Sequence, residues 1–266
     1  MRIVDEFQGQ SGAERTDTWR VPAQGDALRA EEEIPAEHLL SVYLNEVLTM
    51  KLVCSPAQLL ELVLGRLKTE GMIDTTEDVG QIHICSQGSR ASVVLTRPPQ
   101  ASAEPFVETT PSCCTGNRIL SDLFAAKQPP QPVKPIPWRE EWIFALARAF
   151  AEGTPIHRAT NGTHSCFLAV EGQCLYCCED LGRHNALDKA VGCALRDGVD
   201  LSRAILYTSG RVPTDMALKA VRAGVPVLVS KARPTDMAVE LAQTFDLTLI
   251  CSARPDCFSV YTRPDQ

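Results

Sequence analysis

Three short apolar runs, 204–208, 225–230 and 247–251, alternate with two amphipathic stretches, 213–223 and 236–245. Runs this short suit strands, and the stretches between them have helical length and spacing. The alternation predicts parallel strands joined by right-handed helical crossovers. Two further strands, 166–170 and 174–178, flank Glu171-Gly172. A helix over 183–196 then carries Leu187, Ala190, Val191, Ala194 and Leu195 on one face. A last apolar run, 258–262, can close the sheet. The fold class read from this half is α/β.

The first half reads as a smaller α+β part. Strands over 39–44 and 47–53 enclose the tight turn Asn45-Glu46. Ser55 is the expected N-cap of the next helix, with Pro56 at its first position. Leu59, Leu60, Val63, Leu64 and Leu67 form its apolar stripe, and Gly71 ends it. A hairpin of 82–86 and 91–96 turns at Gly88. Residues 1–32 show no apolar period and are expected as a flexible arm. From 98 to 138 the chain is irregular, with a Pro-rich linker at 128–137. A helix over 138–151, ending near Gly153, should bury Trp142, Ala145, Leu146, Ala149 and Phe150. The expected division is therefore 1–32, 33–127, 128–137 and 138–266.

Composition narrows the function. The net charge of −7 argues against a sequence-independent nucleic-acid binder, so any bound anion must be held by local Arg and helix termini. No run of 18 apolar residues suggests a membrane span, and the N-terminus lacks a signal-peptide core. A cytoplasmic location is expected. Eleven Cys, an odd number, then read as buried small hydrophobes or reactive thiols rather than a disulfide framework.

In an open α/β sheet, ligands bind beyond the carboxyl ends of the strands. Three such ends carry an Arg: Ser209-Gly210-Arg211, Ala232-Arg233-Pro234 and Ser252-Ala253-Arg254. A fourth, Arg183, stands at a helix start. Arg forks and free N–H groups at helix starts suit phosphate, so these residues are candidates for a nucleotide-like ligand. Each alone reads rather as a solvated loop residue, and the four together point to a site. His184 and Asp188 share a helix face, so Asp188 either orients the imidazole toward a ligand or is a surface partner. Cys113 and Cys114 lie in a polar loop, where an ionised thiol is available as a nucleophile. Cys174-x-x-Cys177-Cys178 admits a zinc reading, but in a regular strand the first two sulfurs would point to opposite faces. The deaminase signature H-x-E is also missing, because Ser165-Cys166 follows His164. No metal site is expected.

The segment Glu179-Asp-Leu-Gly-Arg-His-Asn-Ala-Leu-Asp-Lys189 resembles the E-D-V-G-R-H-N-A-x-D-K motif of the FdhD family of formate dehydrogenase accessory proteins. Ser209-Gly-Arg211 with Asp215 and Lys219, Ser230 with Pro234-Thr235, and Thr160 to His164 resemble further family segments. So do Val42 to Asn45, Ser55-Pro56 and Glu70 to Ile73. The resemblance spans about residues 33–263 and is strongest in the second half.

It implies a cytidine-deaminase-like C-terminal domain without zinc, in a homodimer. It also implies sulfurtransferase activity. Sulfur from a cysteine desulfurase is carried as persulfide on a loop Cys. It passes to the molybdenum cofactor, a bis-molybdopterin guanine dinucleotide bound as substrate, for formate dehydrogenase. Cys113 falls on the first Cys of the family's S-C-G-x-C-G loop, whereas Cys114 replaces a Gly and Gly116 the second Cys. The family's cofactor-binding turn falls on Ser252, Ala253, Arg254, Pro255, Asp256 and Cys257. Arg183, His184, Ser209, Gly210, Arg211 and Arg233 complete the implied cofactor site. The altered Cys loop leaves a second reading, a cofactor-binding chaperone without sulfur transfer. A zinc-dependent nucleotide deaminase is a third, suggested by fold alone.

Overall fold

The computed structural model describes residues 1–97, 108–110 and 130–263. These form two six-stranded sheets and a separate two-stranded hairpin. The chain opens with β1 (Arg2–Asp5), β2 (Ala13–Arg20) and β3 (Leu28–Pro35). Residues 1–32 therefore carry three strands rather than an arm without regular structure. Among the described residues, β2 and β3 pair only with each other. Nearly every residue of this hairpin is exposed, so no apolar alternation marks it. Cross-strand charge pairs do instead, with Arg29 2.7 Å from Asp17 and Arg20 3.2 Å from Glu32.

β4 (His38–Leu44) and β5 (Val47–Cys54) follow, joined through Asn45 and Glu46. Both turn residues have positive φ, as a two-residue hairpin turn demands. Helix α1 (Leu59–Thr69) begins three residues later than the Ser55-Pro56 signal implies. Its N-cap is Gln58, without a side-chain cap. The Ser55 hydroxyl is taken instead by Asp180 and Lys189, a tertiary demand that overrides local capping. Gly71, with φ of 74°, follows the helix end. β6 (Val79–Ile84), β7 (Arg90–Leu95) and β8 (Glu108–Thr110) complete the first sheet, in the order β1-β6-β7-β4-β5-β8. Its apolar face packs under α1 around Leu40, Leu52, Leu62 and Ile82.

Helix α2 (Glu140–Ala151) buries Ile143, Leu146, Ala147 and Phe150. The expected face was rotated: Ala145 and Ala149 are exposed. The true stripe has i, i+3, i+4, i+7 spacing and starts one residue after Trp142. A short helix, α3 (Pro155–Thr160), precedes β9 (His164–Val170) and β10 (Gln173–Asp180). Then come α4 (Arg183–Arg196), β11 (Ala204–Thr208), α5 (Thr214–Ala223), β12 (Val227–Ser230), α6 (Asp236–Thr244), β13 (Thr248–Cys251) and β14 (Ser259–Thr262). The second sheet has the order β10-β9-β11-β12-β13-β14. β11, β12 and β13 are parallel, as the alternation predicts, and β9 and β14 run antiparallel to their neighbours. One face packs on α4, α5 and α6, the other on α2. Alternate residues serve the two faces: Leu206 one, Ile205 and Tyr207 the other.

The two sheets meet through α1 and α4. Gly65 and Gly192 sit at their crossing, where a Cβ on Gly65 would lie 1.7 Å from the Asp188 carbonyl oxygen. Buried charges surround this contact. Lys189 and Asp180, both without exposed side-chain surface, lie 2.6 Å apart. Asp180 also accepts from the Ser55 N–H and from Asn185, which reaches back to the Val53 carbonyl. Asp188 accepts from Thr69 at 2.6 Å and from Lys219 at 2.9 Å. Much of the 179–189 segment thus docks one half of the chain onto the other.

Candidate functional site at the strand ends

The loops after the three parallel strands are knit together. Val212 N–H donates to the Arg233 carbonyl at 3.1 Å, and Thr235 N–H returns to Val212 at 3.0 Å. Ser252 N–H donates to the Ala232 carbonyl, and Ala253 N–H to Ser230. The Ser230 hydroxyl ties the loops further, donating to the Gly210 carbonyl at 2.6 Å. The strand-end loops picked out in the sequence therefore share one edge of the sheet. β9 runs antiparallel to β11, so its first residues, His164 and Ser165, lie at this same edge.

A cleft of about 500 Å³ opens there. Ser209, Lys231 and Arg254 line it from the strand-end loops; His157, Thr163 and His164 line it from α3 and the start of β9. Ser209 is held from two sides. Its Oγ accepts from the Ser165 N–H at 3.1 Å and lies 3.0 Å from His164 Nδ1. Burial pushes the His164 pKa down, with Arg183 and His157 adding to the effect and Asp180 opposing it. With the ring proton on Nε2, His164 accepts at Nδ1 from the Ser209 hydroxyl; with it on Nδ1, the ring donates to Ser209 Oγ. His157 Nδ1 lies 2.8 Å from the Thr163 carbonyl and donates to it. Glu179 takes the N–H groups of Ile156 and His157, at 3.2 and 2.9 Å, so its charge is spent on the start of α3. Lys231 and Arg254, both exposed, give the cleft a cationic wall. Two buried polar atoms here have no hydrogen-bond partner among the described residues: Thr163 Oγ1 and Arg183 Nε. Such atoms are uncommon in a finished interior and suit a ligand with acceptor groups.

The expected site residues divide. Ser209 and Arg254 line the cleft. Arg183 begins α4, and its stem lies against Gly210, where a Cβ would come 2.7 Å from Arg183 Cδ. Only glycine leaves that room. Arg211 and Arg233 are exposed on the paired loops beside the cleft. Ser252 and Ala253 bond to the neighbouring loop, while Pro255, Asp256 and Cys257 are exposed in a turn closed by Arg254 N–H and the Cys257 carbonyl at 2.7 Å. His184 departs from expectation. It is 5% exposed, and its Nε2 is 3.2 Å from Asp215 of α5, not paired with Asp188. Burial pushes its pKa down to about 4, against the pull of Asp215. Asp188 turns the other way, to Arg66, Thr69 and Lys219. Cys113 lies outside the described residues. Lys231 and His157 gave no signal in the sequence beyond their positions after a strand and in a Gly-rich stretch.

The Cys174-x-x-Cys177 pair is also corrected. The two sulfurs are 3.5 Å apart on one face, not on opposite faces. β10 bulges at Leu175: Cys174 pairs with Ala169, and Tyr176 already pairs with Leu168. The extra residue reverses the parity of the strand.

Fold and cleft together define a two-sheet α/β protein with a cationic, His- and Ser-lined cleft at its strand ends. The FdhD/NarQ family model matches residues 35–266, and the chain belongs to that family. It is 31% identical over 254 residues to the sulfur carrier protein FdhD of Bacillus subtilis (strain 168), covering 94% of this chain and 95% of that one. Identity is 34% over 215 residues to the sulfur carrier protein FdhD of Geobacillus kaustophilus (strain HTA426), covering 78% and 80%. The crystal structure of a candidate formate dehydrogenase accessory protein from Desulfotalea psychrophila superposes with a TM-score of 0.75 at 25% identity, over 96% of this chain and 99% of that one. Among the described residues, no helix is long and apolar enough to cross a membrane.

Proposed function

We propose that this chain is a cytoplasmic sulfur carrier that takes persulfide sulfur from a cysteine desulfurase to the molybdenum cofactor of a formate dehydrogenase. The relatives named as sulfur carriers support the general role. The observation that carries the ligand half of the reading is the cleft, with Lys231 and Arg254 on its wall, Thr163 Oγ1 in its lining and Arg183 Nε at the neighbouring Gly210 loop, the last two buried without a hydrogen-bond partner among the described residues. A guanine dinucleotide brings pyrophosphate and base acceptors that match such groups. Its binding there as substrate, with Arg211 and Arg233 at the rim, follows from the same chemistry. The mixed sheet with helices on both faces supports the likeness to cytidine deaminases.

In the sulfur step, the Cys113 thiolate attacks the outer sulfur of the desulfurase persulfide. The S–S bond breaks, the desulfurase thiolate leaves and takes a proton, and Cys113 holds the persulfide. Delivery of its outer sulfur as sulfide would break the Cys113 S–S bond, return the Cys113 thiolate and take two electrons, which a reduced molybdenum centre of the substrate would supply. The homodimer expected from the family belongs to the same proposal. The test is activation of formate dehydrogenase by a Cys113→Ala variant. Lost activation with cofactor binding intact supports the carrier. Undiminished activation removes the sulfur step and leaves a cofactor-binding chaperone.

A further inference from the structure

A pair of thiols lies outside the residues that line the cleft. Cys174 and Cys177 lie on β10, which among the described residues is an edge strand bonded on one side, to β9. The bulge at Leu175 places them over Ala169 and Phe167, two residues of the same face. Their sulfurs are 3.5 Å apart, and Cys177 is exposed. Closing to a disulfide length needs an approach of about 1.5 Å. Tyr176, between them, is anchored on the other face, its hydroxyl donating to Asp197 at 2.8 Å. The anchored bulge therefore holds the two thiols together without a covalent link.

Two contrasts single out this pair. Cys178 and Cys193 are also close, at 3.9 Å, but they are 0% and 2% exposed, so no outside sulfur reaches them. Cys257 is exposed, but the close sulfur pairs among the described residues are Cys174–Cys177 and Cys178–Cys193. Only at Cys174 and Cys177, among the described residues, does an accessible thiol have a second thiol within reach.

We propose that Cys174 and Cys177 are a redox-active dithiol that exchanges with low-molecular-weight disulfides and closes to an intramolecular disulfide. Cys177 is the attacking sulfur, because it is the exposed member and its thiolate is placed to take a hydrogen bond from the Cys174 thiol. That bond draws its pKa down to about 7, against burial and the Glu179 charge. The Cys177 thiolate attacks one sulfur of the small disulfide, whose S–S bond breaks. One small thiolate leaves and takes a proton. Cys174 then gives up its proton and attacks Cys177 Sγ in the mixed disulfide, expelling the second small thiol. Two protein thiols are oxidised and one disulfide is reduced. The chemistry does not depend on the sulfur-carrier reading, because neither Cys113 nor the cleft takes part.

Incubation of the full chain with glutathione disulfide, followed by acid quench, alkylation, digestion and fragment mass analysis, tests this. The peptide spanning Cys174 and Cys177 should lose two hydrogens, and neither cysteine should be alkylated. Dithiothreitol should restore alkylation of both. In a Cys174→Ser variant one glutathione should remain on Cys177, and in Cys177→Ser no disulfide should form in this segment. Full alkylation of both cysteines after glutathione disulfide overturns the proposal. So does a glutathione adduct on Cys177 that persists in the unaltered chain, or a disulfide from Cys177 to any cysteine other than Cys174. The mapping in the unaltered chain decides the question even if a variant does not fold.

Discussion

Gly65 of α1 and Gly192 of α4 lie at the closest point between the two halves of the protein: a Cβ on Gly192 would lie 1.8 Å from the Glu61 carbonyl oxygen. Neither helix backbone can retreat without opening the buried charges around it. Gly192→Ala should therefore cost about 3 kcal/mol or prevent folding, the upper range of an overpacked core. Urea unfolding measures it, and a loss of less than about 1 kcal/mol would mean that the helices slide apart freely.

Lys189 and Asp180 form a fully buried ion pair at 2.6 Å beside the same junction, and both reach across it to Ser55. Lys189→Met keeps the length of the side chain and removes the charge. Asp180 is left buried without its cation, at an expected cost of about 3–5 kcal/mol. The companion Asp180→Asn, Lys189→Met variant should recover part of that loss. A single variant as stable as the unaltered chain would contradict the structural role of the pair.

The buried His184 predicts a pH dependence. Its pKa is depressed from 6.5 to about 4 in the folded chain, by burial first, with Lys219, Arg183 and Arg66 adding and Asp215 opposing. Between those values the unfolded chain binds a proton that the folded chain does not. Its contribution to stability is therefore present above pH 6.5 and is lost as pH falls toward 4. His184→Asn should flatten the stability profile over that window. An unchanged slope would mean that other groups set the acid limit.

Lys231 and Arg254 are the cations on the wall of the cleft. Replacing either by Ala should weaken guanine-dinucleotide cofactor binding about tenfold, the worth of one charge-assisted hydrogen bond. The salt dependence of binding should fall in parallel. Equilibrium titration at two ionic strengths reads both. Unchanged affinity in the double variant would place the cofactor elsewhere.

The sequence revealed most where local pattern and burial agree. β11, β12 and β13 are apolar on both faces, so their residues announce a central parallel sheet whatever surrounds them. The β2–β3 hairpin escaped because charge pairs, not apolar residues, hold it. The pairing of His184 was misread for a related reason. Helical spacing put His184 and Asp188 on one helix, but α5 supplies Asp215 and Lys219 from outside it, and these take the two side chains apart. The cleft itself was half legible. Ser209 and Arg254 follow from the strand-end rule, whereas Lys231 depends on which way a loop turns. The facing of Cys174 and Cys177 depends on a one-residue bulge, which leaves no mark in a strand's alternation.

In the proposed sulfur carrier, Cys113 holds the sulfur. Incubation with a cysteine desulfurase and cysteine, followed by intact-mass and peptide mass spectrometry, tests it most directly. The account predicts a single sulfur adduct on the Cys113 peptide that is absent from Cys113→Ala. An unmodified Cys113 peptide, with the desulfurase shown to be active, would contradict it.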